Sequence, residues 1–235
     1  MENTHASLAE KATEVLRKTS NPRAVIALAG PPGSGKSTIA AEVVKRINSE
    51  ANQRVAAVLP MDGFHYPRAY LDTLPNRAEA YSRRGTHWTF DANGVVNLAK
   101  TLHSSRTATS DVILAPSFDH ATKDPLEAGI EIPSEIKIII LEGNWLLFDR
   151  NPWNQIATYM DDTWFVDINE DLARQRVAER HIKSGIETTW EAALERTNQN
   201  DLLNGQEIRR HLIKPSVTVQ SIEVSVDKED HQPHI

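Results

Sequence analysis

Apolar runs and helically spaced segments alternate along this chain. "RAVIALAG" (23–30) predicts a first buried strand, "RVAAVLPMDGF" (54–64) a second that ends on Asp62-Gly63, and "TWFVDI" (163–168) another. "IKIIILEGNWLLF" (136–148) is the most apolar run and predicts the central strand. "DVILAPSFDH" and the short "IEI" predict strands around a turn at Pro125, and "SVTVQSIEVSV" a closing strand. Between them, "SLAEKATEVLRK", a segment through about Ile47, "DANGVVNLAKTLHS", "EDLARQRVAERHIKSG" and "TTWEAALERTNQNDLL" show helical periods. The polar stretch from Tyr66 to Gly85, broken by Pro67 and Pro75, predicts short helices and loops, and the tail "DKEDHQPHI" a frayed end. Strands that are apolar throughout and alternate with helices imply an α/β fold: a mostly parallel sheet with helices on both faces, three layers in all. In such sheets ligands sit at the carboxyl ends of the strands. Asp62, Glu142 and the loop after the first strand all fall there.

Composition narrows the classes of function. The 235 residues suffice for one sizeable domain, taken as 1–235. A formal net charge of −6 argues against a general nucleic-acid or anionic-membrane surface and leaves room for a local basic pocket. Cysteine is absent, which removes disulfides, thiolate metal sites and thiol nucleophiles. No run approaches a membrane span, and the acidic start "MENTHASLAEKATEVL" lacks the apolar core of a secretory signal. A cytoplasmic protein is the expectation.

"GPPGSGKST", Gly30 through Thr38, fits G-x-x-x-x-G-K-[ST] at each fixed position, after a strand and before a helix. The whole run (Gly30, Pro31, Pro32, Gly33, Ser34, Gly35, Lys36, Ser37 and Thr38) is therefore expected to bind ATP. Backbone N–H groups would cradle the phosphates, Lys36 would reach the outer ones, and the Ser37 hydroxyl would ligate Mg²⁺. There is no N-K-x-D guanine reader, and the strand expected to carry the second carboxylate ends in Glu142-Gly143 rather than Asp-Glu.

The motifs in order resemble the uridine kinase / pantothenate kinase / phosphoribulokinase group of P-loop kinases. The resemblance spans about Ala24 to Ile213 and rests on "GPPGSGKST", "MDGFH", "TFDANG", "APSFDH", "LEGNWLL" and "ARQRVAERHIKSG". Within the group the chain looks closer to a fungal uridine-kinase-like and bacterial fructose-transport-kinase-like branch, whose N-D-x-x-N stretch is similar to "NQNDLLNGQEI". The resemblance implies a P-loop fold with an arginine-bearing lid over about 174–190 and a substrate-covering segment over about 64–91. It implies ATP and Mg²⁺ as cofactors and transfer of the γ-phosphate to a small hydroxylated metabolite such as a nucleoside, a pantothenate-like compound or a sugar.

Phosphoryl transfer to an alcohol needs the hydroxyl oriented, its proton accepted and the moving charge neutralised. Asp62 stands at the right place to be the carboxylate that orients the hydroxyl and accepts its proton, and the resemblance implies the same role, although Asp-Gly is also a common turn pair. Glu142, at the end of a very apolar strand, fits a carboxylate partnered by a Mg²⁺-bound water or a substrate hydroxyl, or one making a plain buried hydrogen bond to backbone. The resemblance implies that Arg176 and Arg180, at i and i+4, close over the phosphates with help from Arg174; the alternative is a solvated face partnered by Glu179. His65, Tyr66, Arg84, His87, Trp88, Asp91, Phe118 and His120 form the candidate substrate set. Asp91 equally suits a helix cap, and Trp88 and Phe90 equally suit the core. Phe118, His120 and Lys123 depart from the uracil-reading residues of uridine kinases. A P-loop ATPase with a regulatory or assembly role and no small acceptor is the competing reading.

Overall fold

The computed structural model describes residues 2–104, 112–119 and 121–222. In chain order its elements are α1 (Glu2–Lys18), β1 (Ala24–Ala29), α2 (Lys36–Ala51), β2 (Ala56–Pro60), α3 (Arg68–Leu71), α4 (Arg77–Ser82), α5 (Ala92–Ser104), β3 (Ile113–Asp119), β4 (Asp124–Ile132), β5 (Ile138–Gly143), β6 (Asp162–Ile168), α6 (Glu170–Lys183), α7 (Trp190–Arg196), α8 (Leu202–Arg210) and β7 (Val217–Ser221). Short 3₁₀ turns occupy Met61–Phe64, His87–Thr89 and Trp153–Tyr159, and a π-helical turn, Thr197–Asp201, joins α7 to α8.

Every residue of β1 and β5 is buried, as strands covered on both faces require. The main sheet is wholly parallel, in the order β2-β5-β1-β6-β7. Successive side chains point to opposite faces, so one strand feeds two cores. Ile26, Leu28, Ile138, Ile140, Trp164 and Val166 pack on α1 and α2. Val25, Ala27, Ile139, Leu141 and Phe165 face α5 and an aromatic group made by Trp145, Phe148 and Trp153. Burying a side chain of this size contributes about 1.5–3 kcal/mol, so the strand ends that carry the polar residues are firmly anchored.

Four expectations from the sequence change. The most apolar run, β5, lies beside the centre, and β1 is the central strand. Both have a hydrogen-bonded neighbour on each side, so hydrophobicity alone cannot rank them. The second strand stops at Pro60, because Asp62-Gly63 belongs to the 3₁₀ turn. Pro125 sits inside β4, not in the turn. Here β3 and β4 form a separate antiparallel hairpin, irregular between Ala115 and Ser117, and Pro125 pairs with Phe118. β4 is largely exposed, so its polarity hid all but "IEI". The helix expected to end near Leu203 continues as α8 to Arg210. The last part of the expected closing strand and the tail lie outside the described residues.

Candidate active site

The phosphate loop runs from the end of β1 into α2. Gly35, at φ 81°, takes the left-handed conformation that starts α2, and no side chain caps that helix. The first-turn N–H groups of a sixteen-residue helix are thus left to a ligand, and the helix dipole favours an anion. Gly33, at φ 80°, is pressed by α6: a Cβ there would stand 3.0 Å from the Ala173 carbonyl oxygen. The Ser34 hydroxyl is buried without a hydrogen-bond partner among the described residues.

A cavity of about 960 Å³ opens at the carboxyl end of the sheet, and Pro32, Lys36, Ser37, Asp62 and Glu142 all line it. Strand parity explains the position of Glu142. It shares a face with Ile138 and Ile140, the face covered by α2, and so points at the start of that helix. There the Ser37 hydroxyl lies 3.1 Å from each Glu142 carboxylate oxygen. The sequence offered a backbone hydrogen bond as the structural alternative; the partner is the loop's own serine. Asp62 is set by close packing at the residues on either side of it in its turn. A Cβ at Gly63 would fall 2.1 Å from the Pro116 carbonyl oxygen, and one at Gly143 2.5 Å from the Met61 Cβ. Both positions exclude a side chain, which locks the turn between the hairpin and the end of β5. Since Gly63 has no positive φ, close packing rather than turn geometry requires glycine there.

Burial pushes the Glu142 carboxyl above the usual glutamate range; Lys36 opposes this, Asp62 reinforces it and the Ser37 hydroxyl opposes it. An acid raised in the fold keeps its proton after the unfolded chain has released it. The fold therefore loses stability as pH climbs from the ordinary value through the raised one. Glu142→Gln removes that loss. The variant is expected to melt above wild type at pH 8 without nucleotide, and the gap to close near pH 4. Thermal unfolding at both pH values checks this, and coincident curves at pH 8 would show that Lys36 and Ser37 already offset the burial.

The arginines expected to form a lid divide. Arg180 lines the cavity, more than half exposed, with Nη2 3.9 Å from Asp201. Arg176 does not line it. Its guanidinium donates to Ser221 Oγ at 2.8 Å, to the Ile222 carbonyl at 2.8 Å and to the Gly33 carbonyl at 3.4 Å, tying α6 to β7 and the phosphate loop. Arg174 is engaged by Asp171, Glu170 and Asn198. Glu179 accepts from Gln175, not from these arginines. The sequence reading missed Arg196 and His181, which also line the cavity beside Asn200 and Asp201 of the π turn. His181 is buried, with Nε2 3.5 Å from Asp201; burial and the charges of Arg180 and Arg196 push its imidazole down to about 4. Burial pushes the Asp201 carboxyl up, against the pull of Arg180 and Arg196.

Of the candidate substrate residues, His65, Arg84 and Phe118 line the cavity. His65 stacks on Phe90 at 3.9 Å, and its ring lies 5.1 Å from that of Phe118. Four others do not line the cavity. The Asp91 carboxylate accepts from the Gly94 N–H at 2.9 Å, capping α5. His87 packs on Trp145 and Phe148, with Nε2 3.7 Å from Glu207, and burial lowers its imidazole. The Tyr66 ring lies against Tyr70, and Trp88 is half-buried. His120 lies outside the described residues. Arg83 donates to the Gln199 carbonyl and to Asn204, and Asn200 donates to the Arg84 carbonyl, so the 64–91 segment and the π turn form one wall.

A parallel sheet, a phosphate loop on its central strand and carboxylates at the ends of the two strands beyond it define a P-loop kinase fold. The chain belongs to the phosphoribulokinase / uridine kinase family, whose model matches residues 25–198. It is 35% identical over 226 residues to the Schizosaccharomyces pombe protein C227.14, which carries a provisional uridine kinase name; the match covers 96% of this chain and 94% of that one. Its fold is similar to YFH7 of Saccharomyces cerevisiae, provisionally described as a P-loop containing kinase with a circular permutation, at 26% identity and a TM-score of 0.81, covering 92% of this chain and 98% of the other. It is similar, too, to a protein of Silicibacter sp. TM1040 provisionally named a fructose transport system kinase, at 28% identity and a TM-score of 0.77, covering 91% and 98%. No helix among the described residues is long and apolar enough to cross a membrane.

Proposed function

We propose that the protein transfers the γ-phosphate of ATP to a hydroxyl of a small metabolite. The observation that carries this reading is the convergence of Lys36, Ser37, Glu142 and Asp62 on one cavity that continues past them to His65, Arg84 and Phe118. A nucleotide held by the loop fills one end, and space remains at the other. In the transfer the bond from the γ-phosphorus to its bridging oxygen breaks, a bond from phosphorus to the acceptor oxygen forms, and ADP leaves. Asp62 orients the acceptor hydroxyl and takes its proton. Lys36, Arg180 and Arg196 hold the charge of the moving group in place.

The oxygen donors at the start of α2 fit a magnesium ion arriving with the nucleotide. Ser37 would hold it directly and Glu142 through water, the hard-oxygen set this cation prefers. Bound there, the ion supplies charge neutralisation at the phosphates. Without it Ser37 and Glu142 satisfy one another, which keeps both in place.

The test is ADP release with Mg²⁺ and ATP across a panel of hydroxylated metabolites. Turnover stimulated by an acceptor supports the kinase. Turnover indifferent to every acceptor would favour an ATPase, which has no use for a carboxylate aimed at an acceptor hydroxyl.

A further inference from the structure

The cavity is far more basic than the chain. Six lysines and arginines and three carboxylates line it, on a protein of net charge −6. Lys36 belongs to the phosphate loop, and Arg180 and Arg196 belong to the lid side. Arg68, Arg84 and Lys123 remain, from the 64–91 segment and the hairpin turn, with no nucleotide phosphate assigned to them.

Arg84 is the best-built of the three. Its side chain is 14% exposed. Nη1 donates to the Lys123 carbonyl at 2.7 Å and Nη2 to the Tyr66 carbonyl at 3.0 Å, and the guanidinium carbon lies 5.7 Å from the centre of the Phe118 ring. A carboxylate contact comes from Asp124 Oδ1 at 3.4 Å, an oxygen that also accepts from the Arg68 N–H at 2.8 Å. Asp124 is not among the residues that line the cavity. The Arg84 Nε is buried without a hydrogen-bond partner among the described residues. A guanidinium held this rigidly, with one donor unmet and its carboxylate distant and shared, is costly to bury unless a ligand completes the set. The planar fork suits a carboxylate or phosphate oxygen pair.

We propose that the acceptor carries an anionic group, a carboxylate or a phosphate, besides the hydroxyl that is phosphorylated, and that Arg84 receives it, flanked by Arg68 and Lys123. This rests on the kinase reading of the same cavity and narrows it. Uncharged nucleosides and free sugars are then poor acceptors. Asp62 and His65 line the same cavity, the His65 ring lies 3.9 Å from Phe90 and 5.1 Å from Phe118, and the Arg84 guanidinium lies 5.7 Å from the Phe118 ring, so hydroxyl and anion are assigned to different parts of one ligand.

Matched pairs test it: pantothenate against panthenol, glycerate against glycerol, and ribose 5-phosphate against ribose. The charged member of at least one pair should stimulate ADP release and its neutral partner should not. Arg84→Gln should raise the KM for that acceptor on the order of a hundredfold, as expected for losing a charge-assisted contact, with the KM for ATP unchanged. Arg68 is exposed and Lys123 half-buried, so Arg68→Gln and Lys123→Gln should fold normally and raise the same KM severalfold. They decide the matter if the Arg84 variant is misfolded. Independently, glycerate and inorganic phosphate are titrated calorimetrically into protein whose phosphate loop is filled by a non-hydrolysable ATP analogue. At least one should bind wild type and bind the variants more weakly, and which one binds separates carboxylate from phosphate. Equal binding by wild type and variants, binding of neither anion, or full turnover of a neutral acceptor by Arg84→Gln overturns the proposal. If anion binding depends on Arg84 but no acceptor stimulates turnover, the anion site stands and the kinase reading fails.

Discussion

Lys36→Ala is expected to remove phosphoryl transfer while leaving the protein folded. The ammonium is a cavity group from the first residue of α2, where the helix is held by Ile39, Ala40, Val43 and Ile47 against the sheet. Truncation leaves those contacts intact, so circular dichroism should match wild type. The loss in kcat should be at least roughly two to three decades, comparable to removing one preorganised charge stabiliser from a transition state. The stability of the ligand-free protein carries a second signature. Lys36 lowers the Glu142 carboxyl against the effect of burial, so its removal leaves that carboxyl raised further. Lys36→Ala should therefore steepen the loss of stability above the ordinary glutamate range, and Lys36→Ala with Glu142→Gln should abolish the steepening. A variant with near-normal turnover would take the loop out of the chemistry altogether.

What the sequence made legible follows from the range of the interactions. The phosphate loop is local: glycines at fixed offsets, a lysine and a serine at a helix start, all within nine residues. Asp62 and Glu142 were legible because strand ends in a parallel sheet gather on one edge, and parity then assigns Glu142 to the α2 face. The cavity wall beyond the phosphate loop was not legible. His87 and His65 are both histidines in a polar, aromatic segment, yet His87 packs into the Trp145 and Phe148 group while His65 reaches the cavity; only the path of the backbone separates them. Asp91 satisfied two patterns, and the nearby Gly94 N–H holds it as a cap. Arg176 and Arg180 share a helix face, but Arg176 is captured by Gly33 and the end of β7, contacts more than 40 residues away in sequence. Arg196 and Asp201 come beside His181 of α6 from the end of α7 and the π turn that follows it, and nothing in the local spacing announced that turn. The hairpin's polarity shortened β4 to three residues in the sequence, although its nine residues carry Asp124 and support Arg84.

Asp62→Asn separates the kinase from an ATPase at one atom. The amide keeps the size of the side chain and one acceptor oxygen, but it cannot take up a proton at neutral pH. With Asp62 accepting the proton of the acceptor hydroxyl, kcat should fall by roughly two to four decades, the range typical of losing a general base. ATP affinity should hold, because the loop's N–H groups, Lys36 and Ser37 grip the phosphates without Asp62. The fold should hold as well: the turn is locked by Pro116 on Gly63 and Met61 on Gly143, and neither contact involves the carboxylate. Removing this charge also takes away one of the influences that raise Glu142, so the apo protein should become slightly more stable above the ordinary glutamate range. Before an acceptor is known, ATP binding, slow acceptor-free hydrolysis and melting curves already discriminate. The kinase reading requires all three to survive in Asp62→Asn while acceptor-dependent turnover collapses. Loss of ATP binding or of the fold would instead make Asp62 a structural turn residue. Glu142, which faces the same cavity, would then be the remaining carboxylate on the phosphate side to test as the base.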